Sequence, residues 1–144
     1  MRQDNRRGGG HGGHRGEDRS RQIREIIEKS AEFIRKGEKP DWQFLVDWPK
    51  ALAPALGDSR TALRRLYDHV AGIRLRMQMD PNADAIREGL PKLQRFAIYQ
   101  SNRQTIKRGT ADWIDAHCRA VNDDPQKFRL FYEFFQSVMA YLPR

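Results

Sequence analysis

The segment between Pro125 and Leu142 most constrains the fold. Phe128, Phe131, Tyr132, Phe134, Phe135, Val138, Met139, Tyr141 and Leu142 cover about half the circumference of an α-helix. A helix with such a face has to bury it, and each fully buried Phe contributes about 1.5–3 kcal/mol. Asp124 followed by Pro125 predicts where this helix opens. That face alone can anchor a core.

The same period recurs upstream. Ile23, Ile26, Ile27, Ala31 and Ile34 predict a helix from Ser20, a good N-cap, to Lys36, with Gly37 as C-cap and Pro40 closing the turn. Trp42, Phe44, Leu45 and Trp48 crowd together beside Pro49 and Pro54, which predicts two short helical pieces folded over a main bundle. Asp58 or Ser59 then caps a helix to about Met79, and its Leu63, Leu66, Tyr67, Val70, Ile73 and Met77 span roughly 120°. Asp80-Pro81 ends it, and a short turn with Ile86 and Leu90 follows. Pro91 is placed as the first residue of the next helix, to about Arg108, with Gly109 as its stop. Leu93, Phe96, Ala97, Ile98, Tyr99 and Ile106 spread around most of that helix, the pattern of a central element. Thr110 is the candidate cap of a helix carrying Trp113, Ile114, His117 and Val121. No strand-like alternation, hairpin dipeptide between apolar runs or internal repeat occurs. The expectation is an all-α fold, a single bundle of five to six helices over residues 20–144.

Residues 1–19 read as a disordered tail, in which the stretch from Arg6 to Gly16 alternates Gly with Arg and His. Two roles stand for it, a solvated tail and a loose contact to RNA backbones. His11 and His14 make no defined metal site on such a segment. Cys118 is the only cysteine among 144 residues, which excludes an intrachain disulfide and a thiolate-cluster metal site. No apolar run approaches the roughly 18 residues of a membrane span. The Arg- and Gly-rich start is no secretory signal, so a cytoplasmic protein is expected.

Charge is the first functional clue. The formal net charge is +8, and residues 60–108 alone hold eleven basic and four acidic side chains. A surplus set in ordered-looking sequence favours a polyanionic partner, most simply nucleic acid; a solvated basic face is the alternative. On the helix that begins near Ser59, Arg60, Arg64 and Arg74 flank one edge of the apolar stripe, and Arg65, His69 and Arg76 the other. Two basic rims let one helix lie between a packed core and a phosphate backbone, although Arg64 with Asp68 also has ion-pair spacing. Arg95, Tyr99 and Arg103 follow at i, i+4 and i+8, and Lys107 and Arg108 extend that surface. Tyr99 has two readings, a stacking platform and a core residue with a bonded hydroxyl. Arg103 is either an RNA contact or a clamp between helices.

Catalytic constellations are missing from the sequence. There is no strand-preceded Gly-rich phosphate loop and no metal-spaced histidine pair. Asp115, His117 and Cys118 come nearest, but adjacent helical positions do not give the hydrogen-bond reach of a Cys–His pair. No catalytic residue, cofactor or metal ligand is assigned.

Three segments in order carry a family resemblance: Thr61-Ala62-Leu63-Arg64-Arg65-Leu66; Leu93 through Ile98-Tyr99-Gln100-Ser101-Asn102-Arg103; and Phe128 through Phe131-Tyr132-Glu133-Phe134-Phe135-Gln136-Ser137-Val138-Met139-Ala140-Tyr141. Over residues 58–142 the chain resembles the small-subunit family of type III-A CRISPR–Cas effector complexes, departing at Gln136, where an acidic residue is commoner. The resemblance implies a small all-helical protein without catalytic activity, serving antiviral defence. It further implies that copies self-associate by stacking along the ribonucleoprotein beside its other subunits, and bind guide RNA and target RNA through the backbone without reading sequence. By family match the RNA candidates are Arg64 and Arg103. Charge geometry adds Arg60, Arg65, Arg76, Arg95, Lys107 and Arg108. A helical protein–protein adaptor, docking a partner through Trp42 to Trp48, is the alternative.

Overall fold

A computed structural model of the chain describes the backbone of residues 2–81 and 84–143, and side chains of residues 16–81 and 84–143. Among the described residues there are six α-helices: α1 (Arg2–Lys36), α2 (Trp48–Leu56), α3 (Arg60–Met79), α4 (Asp84–Asn102), α5 (Arg108–Val121) and α6 (Pro125–Ala140). A π-helical turn, Gln43–Asp47, precedes α2. No strand occurs among the described residues. The all-α expectation holds, and the region 41–56 does fold as two short helical pieces.

Local chemistry explains most boundaries. Ser59 caps α3 by accepting from Ala62 N–H at 3.1 Å, and Asp124 caps α6 through Gln126 N–H and Lys127 N–H. Gly37 and Gly57 end α1 and α2 with positive φ (66° and 76°), which glycine adopts without steric cost. Other boundaries differ from the sequence reading. Ser20 is no N-cap, because it lies inside α1; of the tail expected over residues 1–19, residues 16–19 belong to α1, and the side chains of residues 1–15 lie outside the described ones. Pro91 sits within α4, not at its start. The turn expected around Ile86 and Leu90 is instead the first half of that helix, because Ala85, Ile86, Gly89, Leu90 and Leu93 already form a buried face. Helix α4 ends at Asn102, and Gly109 lies in the first turn of α5. Thr110 does not cap; its hydroxyl donates to Asp58.

Helix α5 is the central element. It packs against α1, α4 and α6, with Trp113, Ile114, His117 and Val121 fully buried. Helix α4, expected to be central, is peripheral, and its Ile98 and Tyr99 are exposed. Around α5 most of the aromatic face of α6 behaves as expected: Phe128, Phe131, Phe134 and Phe135 are fully buried, and Phe134 touches Phe44, Trp113 and His117, whereas Tyr141, past the helix end, is exposed.

A buried polar relay clasps α1 to α5. Trp113 Nε1–H donates to His117 Nδ1 at 3.2 Å, His117 Nε2 lies 2.8 Å from Ser30 Oγ, and Ser30 Oγ–H donates to Ile27 O. With Nδ1 accepting, the proton sits on Nε2 and is given to Ser30, so the neutral imidazole is fully satisfied. Burial drives the His117 pKa down to about 3.

The α3–α4 seam is tight at one point. A Cβ added to Gly89 would stand 2.5 Å from Ile73 Cγ1 and 2.7 Å from its Cδ1, whereas one on Gly72 would meet nothing within 4 Å. Gly89→Ala is therefore expected to cost about 1–3 kcal/mol through overpacking, despite alanine's better helix propensity. Gly72→Ala is expected to gain about 0.5–1 kcal/mol. Urea unfolding of the two variants checks this; equal effects would contradict the assigned α3–α4 register.

Candidate nucleic-acid interface

Helix directions decide which cations meet. Helix α3 is antiparallel to α4, since His69 stacks on Phe96 while Ile73 meets Gly89. It is also antiparallel to α6, since Arg60 donates to Leu142 O while Arg74 lies 4.8 Å over the Tyr132 ring. The start of α3 therefore lies at the same end of the molecule as the end of α4 and the start of α5. Asp58 closes that end by accepting from Lys107 N–H at 2.7 Å and from the Thr110 hydroxyl. Desolvation raises the Asp58 pKa above 3.8, against the lowering pull of its bonds to Thr110 and Lys107 and the Lys107 charge.

This pole gathers Arg60, Arg64 and Arg65 from α3, Arg103 beyond α4, and Lys107 and Arg108 from the opening of α5. Six of the eight expected residues thus lie towards one end of the molecule. The N-termini of α3 and α5 add roughly half a positive charge each. The last α4 carbonyls are neutralised locally, with Tyr99 O, Gln100 O and Ser101 O accepting from Arg103 N–H, Thr105 N–H and Gln104 N–H.

Individual partners grade the set. Arg64, Arg65 and Arg95 are exposed and take part in no ion pair among the described residues, so the Arg64–Asp68 pair allowed by spacing is not made. Arg108 reaches Asp112 at 3.5 Å across solvent, a pair of small worth. Arg60 spends a donor on Leu142 O but keeps its charge. Arg95 lies on the outer face of α4, two turns before Arg103. Arg76 departs from the expectation: it sits at the far end of α3, bound to Glu88 at 3.0 Å. At that end other arginines are paired too, with Arg87 between Asp84 and Asp123 and Arg119 on Asp115.

Tyr99 is not a core residue. It is 51% exposed, and Arg103 donates to its hydroxyl at 2.8 Å with the guanidinium 5.5 Å from the ring centroid. Arg103 is thus no clamp between helices; it folds back on its own turn, leaving a cation and an aromatic face side by side at the surface. The sequence reading also missed Arg21 and Arg24. Helix α1 runs parallel to α5, Ile23 beside Gly109 and Ser30 beside His117, which brings these two exposed arginines to the same pole. The balanced charge of residues 21–59 hid them, and only the packing direction reveals them.

The expected weakness of a reactive cluster at Asp115, His117 and Cys118 has a geometric cause. Asp115 pairs with Arg119, His117 is bonded into the core, and burial pushes the Cys118 thiol up to about 12. No thiolate forms there near neutral pH. Among the described residues no three His, Cys, Asp or Glu side chains group as metal ligands, and no helix is long and apolar enough to cross a membrane.

No curated protein and no solved structure matches the chain. One family model does, that of Csm2 type III-A, and it matches residues 39–142, which include every element from the π-helical turn to the end of α6. The all-helical chain with a basic pole therefore belongs to the Csm2 family, the small subunits of type III-A CRISPR effector complexes.

Proposed function

We propose that this chain is a non-catalytic, cytoplasmic subunit that holds the guide and target RNA of a type III-A effector by their phosphate backbones, stacking with copies of itself and beside the other subunits. One observation carries the reading: Arg64, Arg65, Lys107 and Arg108 are exposed towards the end of the molecule at which α3 and α5 present their N-termini. Guanidinium and ammonium groups there neutralise phosphates and release counterions, which supplies affinity without sequence information. Arg60, Arg95 and Arg103 widen the surface, and Tyr99 offers a stacking face beside Arg103. Arg76, bound to Glu88, is left out of this surface.

Salt dependence tests it. Binding of two unrelated single-stranded RNAs is expected to be equal within a factor of a few, with log Kd rising linearly with log salt at a slope of about 3–4, as for five or so phosphate contacts. A slope near zero, or strong preference for one sequence, would overturn the reading. The adaptor alternative keeps one observation, the 75% exposure of Trp42, although Phe44 and Trp48 pack inward on Phe33. Equally feeble binding to RNA and to heparin would favour that adaptor.

A further inference from the structure

The loop Gly57-Asp58-Ser59 serves three helix ends with three consecutive residues. Gly57 closes α2 in the left-handed region, Ser59 caps α3 through Ala62 N–H, and Asp58 between them reaches across to α5. One Asp58 oxygen accepts from Lys107 N–H at 2.7 Å and the other from the Thr110 hydroxyl, 49 and 52 residues further along the chain. Lys107 holds the N-cap position of α5, yet its side chain makes no cap hydrogen bond, because an ammonium has no acceptor to offer. The Asp58 carboxylate takes the place of that cap. The Lys107 stem is seated as well, its Cε lying 3.9 Å from where a Cβ on Gly57 would stand. Thr110 is fully buried, so the bridge is fastened on its inner side while Lys107 and Arg108 stay exposed.

By charge alone Asp58 is out of place. A carboxylate among these cations repels phosphate and lowers the local positive potential. Burial of the group adds a desolvation cost to its charged form. What it supplies instead is order. An exposed cation on a fraying helix start loses backbone and side-chain freedom when it meets a phosphate, whereas one on a fixed start has lost part of it already. The bridge joins the first residues of α5 to the loop that opens α3, so one side chain sets the spacing between two groups of cations.

We propose that Asp58 is a positioning residue for the basic pole: its carboxylate fixes the start of α5 against the start of α3 and thereby sets Lys107 and Arg108 relative to Arg60, Arg64 and Arg65. This role rests on the RNA-backbone reading of the pole. It adds an acidic residue that supports binding of a polyanion without touching it.

Two substitutions in the full chain separate position from charge. Asp58→Glu keeps the charge but carries the carboxylate one methylene further, out of the place that serves both donors. Asp58→Asn removes the charge and keeps an oxygen for Lys107 N–H. Binding of a single-stranded RNA is expected to weaken at least about fivefold in Asp58→Glu, with the salt slope lower by about 1, and to be at least as tight as the parent's in Asp58→Asn. Without RNA, hydrogen exchange at the Lys107 amide is expected to be slow in the parent and in Asp58→Asn, and at least about tenfold faster in Asp58→Glu. Lys107→Ala is expected to weaken RNA about threefold in the parent and hardly at all on top of Asp58→Glu, the non-additivity of a residue acting through its neighbour. Where Asp58→Glu fails to fold, Asp58→Ser decides by sign, since loss of charge tightens RNA binding and loss of position weakens it. Parental RNA affinity in Asp58→Glu, unchanged Lys107 exchange, additive effects with Lys107→Ala, or tighter binding in Asp58→Ser would each overturn the proposal. A parent chain that binds no RNA overturns the proposed function itself, whereas a binding parent with an equally binding Asp58→Glu overturns only the role of Asp58.

Discussion

Acidification from pH 6.5 towards pH 3 is expected to remove on the order of 5 kcal/mol of stability through His117 alone, at about 1.4 kcal/mol per pH unit. The sign follows from the relay. Above pH 6.5 the imidazole is neutral in both folded and unfolded chains. Below it the unfolded chain takes up a proton, while burial holds the folded pKa at about 3. Nδ1 accepts from Trp113 and Nε2 faces Ser30, so a second ring proton has no acceptor. Folded domains are stable by about 5–15 kcal/mol, so this single group takes a large share. Asp58 acts in the opposite direction, since burial raises its pKa and the folded chain protonates it first on acidification. His117→Gln is expected to lose about 1–3 kcal/mol at pH 7 from the broken relay, and to flatten the pH dependence below 6.5. Urea unfolding at pH 7, 5.5 and 4.5 measures both. Parallel curves for parent and variant would rule out His117 as the group responsible.

Changing Arg64, Arg65, Lys107 and Arg108 together to Glu is expected to weaken RNA binding by on the order of a hundredfold or more at low salt, and to remove most of its salt dependence. Each side chain is exposed. Only the Arg108–Asp112 pair among the described residues is lost, so helicity and melting should stay close to the parent. A matching reversal at the far end, with the paired Arg76 and Arg87 changed to Glu, is expected to alter RNA binding far less. Their charges already meet Glu88, Asp84 and Asp123. If both sets weakened RNA equally, general charge rather than the pole would carry the affinity.

Helical period was enough to read the core faces of α3 and α6 and the all-α class. Leu63, Leu66, Val70 and Ile73 are buried as their spacing requires, and Ser59 and Asp124 cap where their side chains can reach an unpaired N–H. The α3 edges were legible too, with Arg60 and Arg74 turned to α6 and Arg76 to α4. Boundaries around proline were not. Local rules place Pro91 at a helix start, but burial of Ile86, Gly89 and Leu90 extends α4 backwards through it. Tyr99 was left with two readings for a related reason, because apolar residues on several sides of α4 do not tell which side a neighbour covers.

By itself the sequence determined what each helix must hide: periodic apolar side chains have one way to leave water, and a cap has one kind of partner. Only the tertiary structure decided which charges meet. Arg64 and Lys107 are more than forty residues apart in the chain, and their convergence depends on helix direction and on Asp58 bridging two loops. The same packing set Arg76 against Glu88 and hid His117 in the core. Solvation acts on each residue where it stands, whereas charge acts through space, so its pattern exists only once the helices are docked.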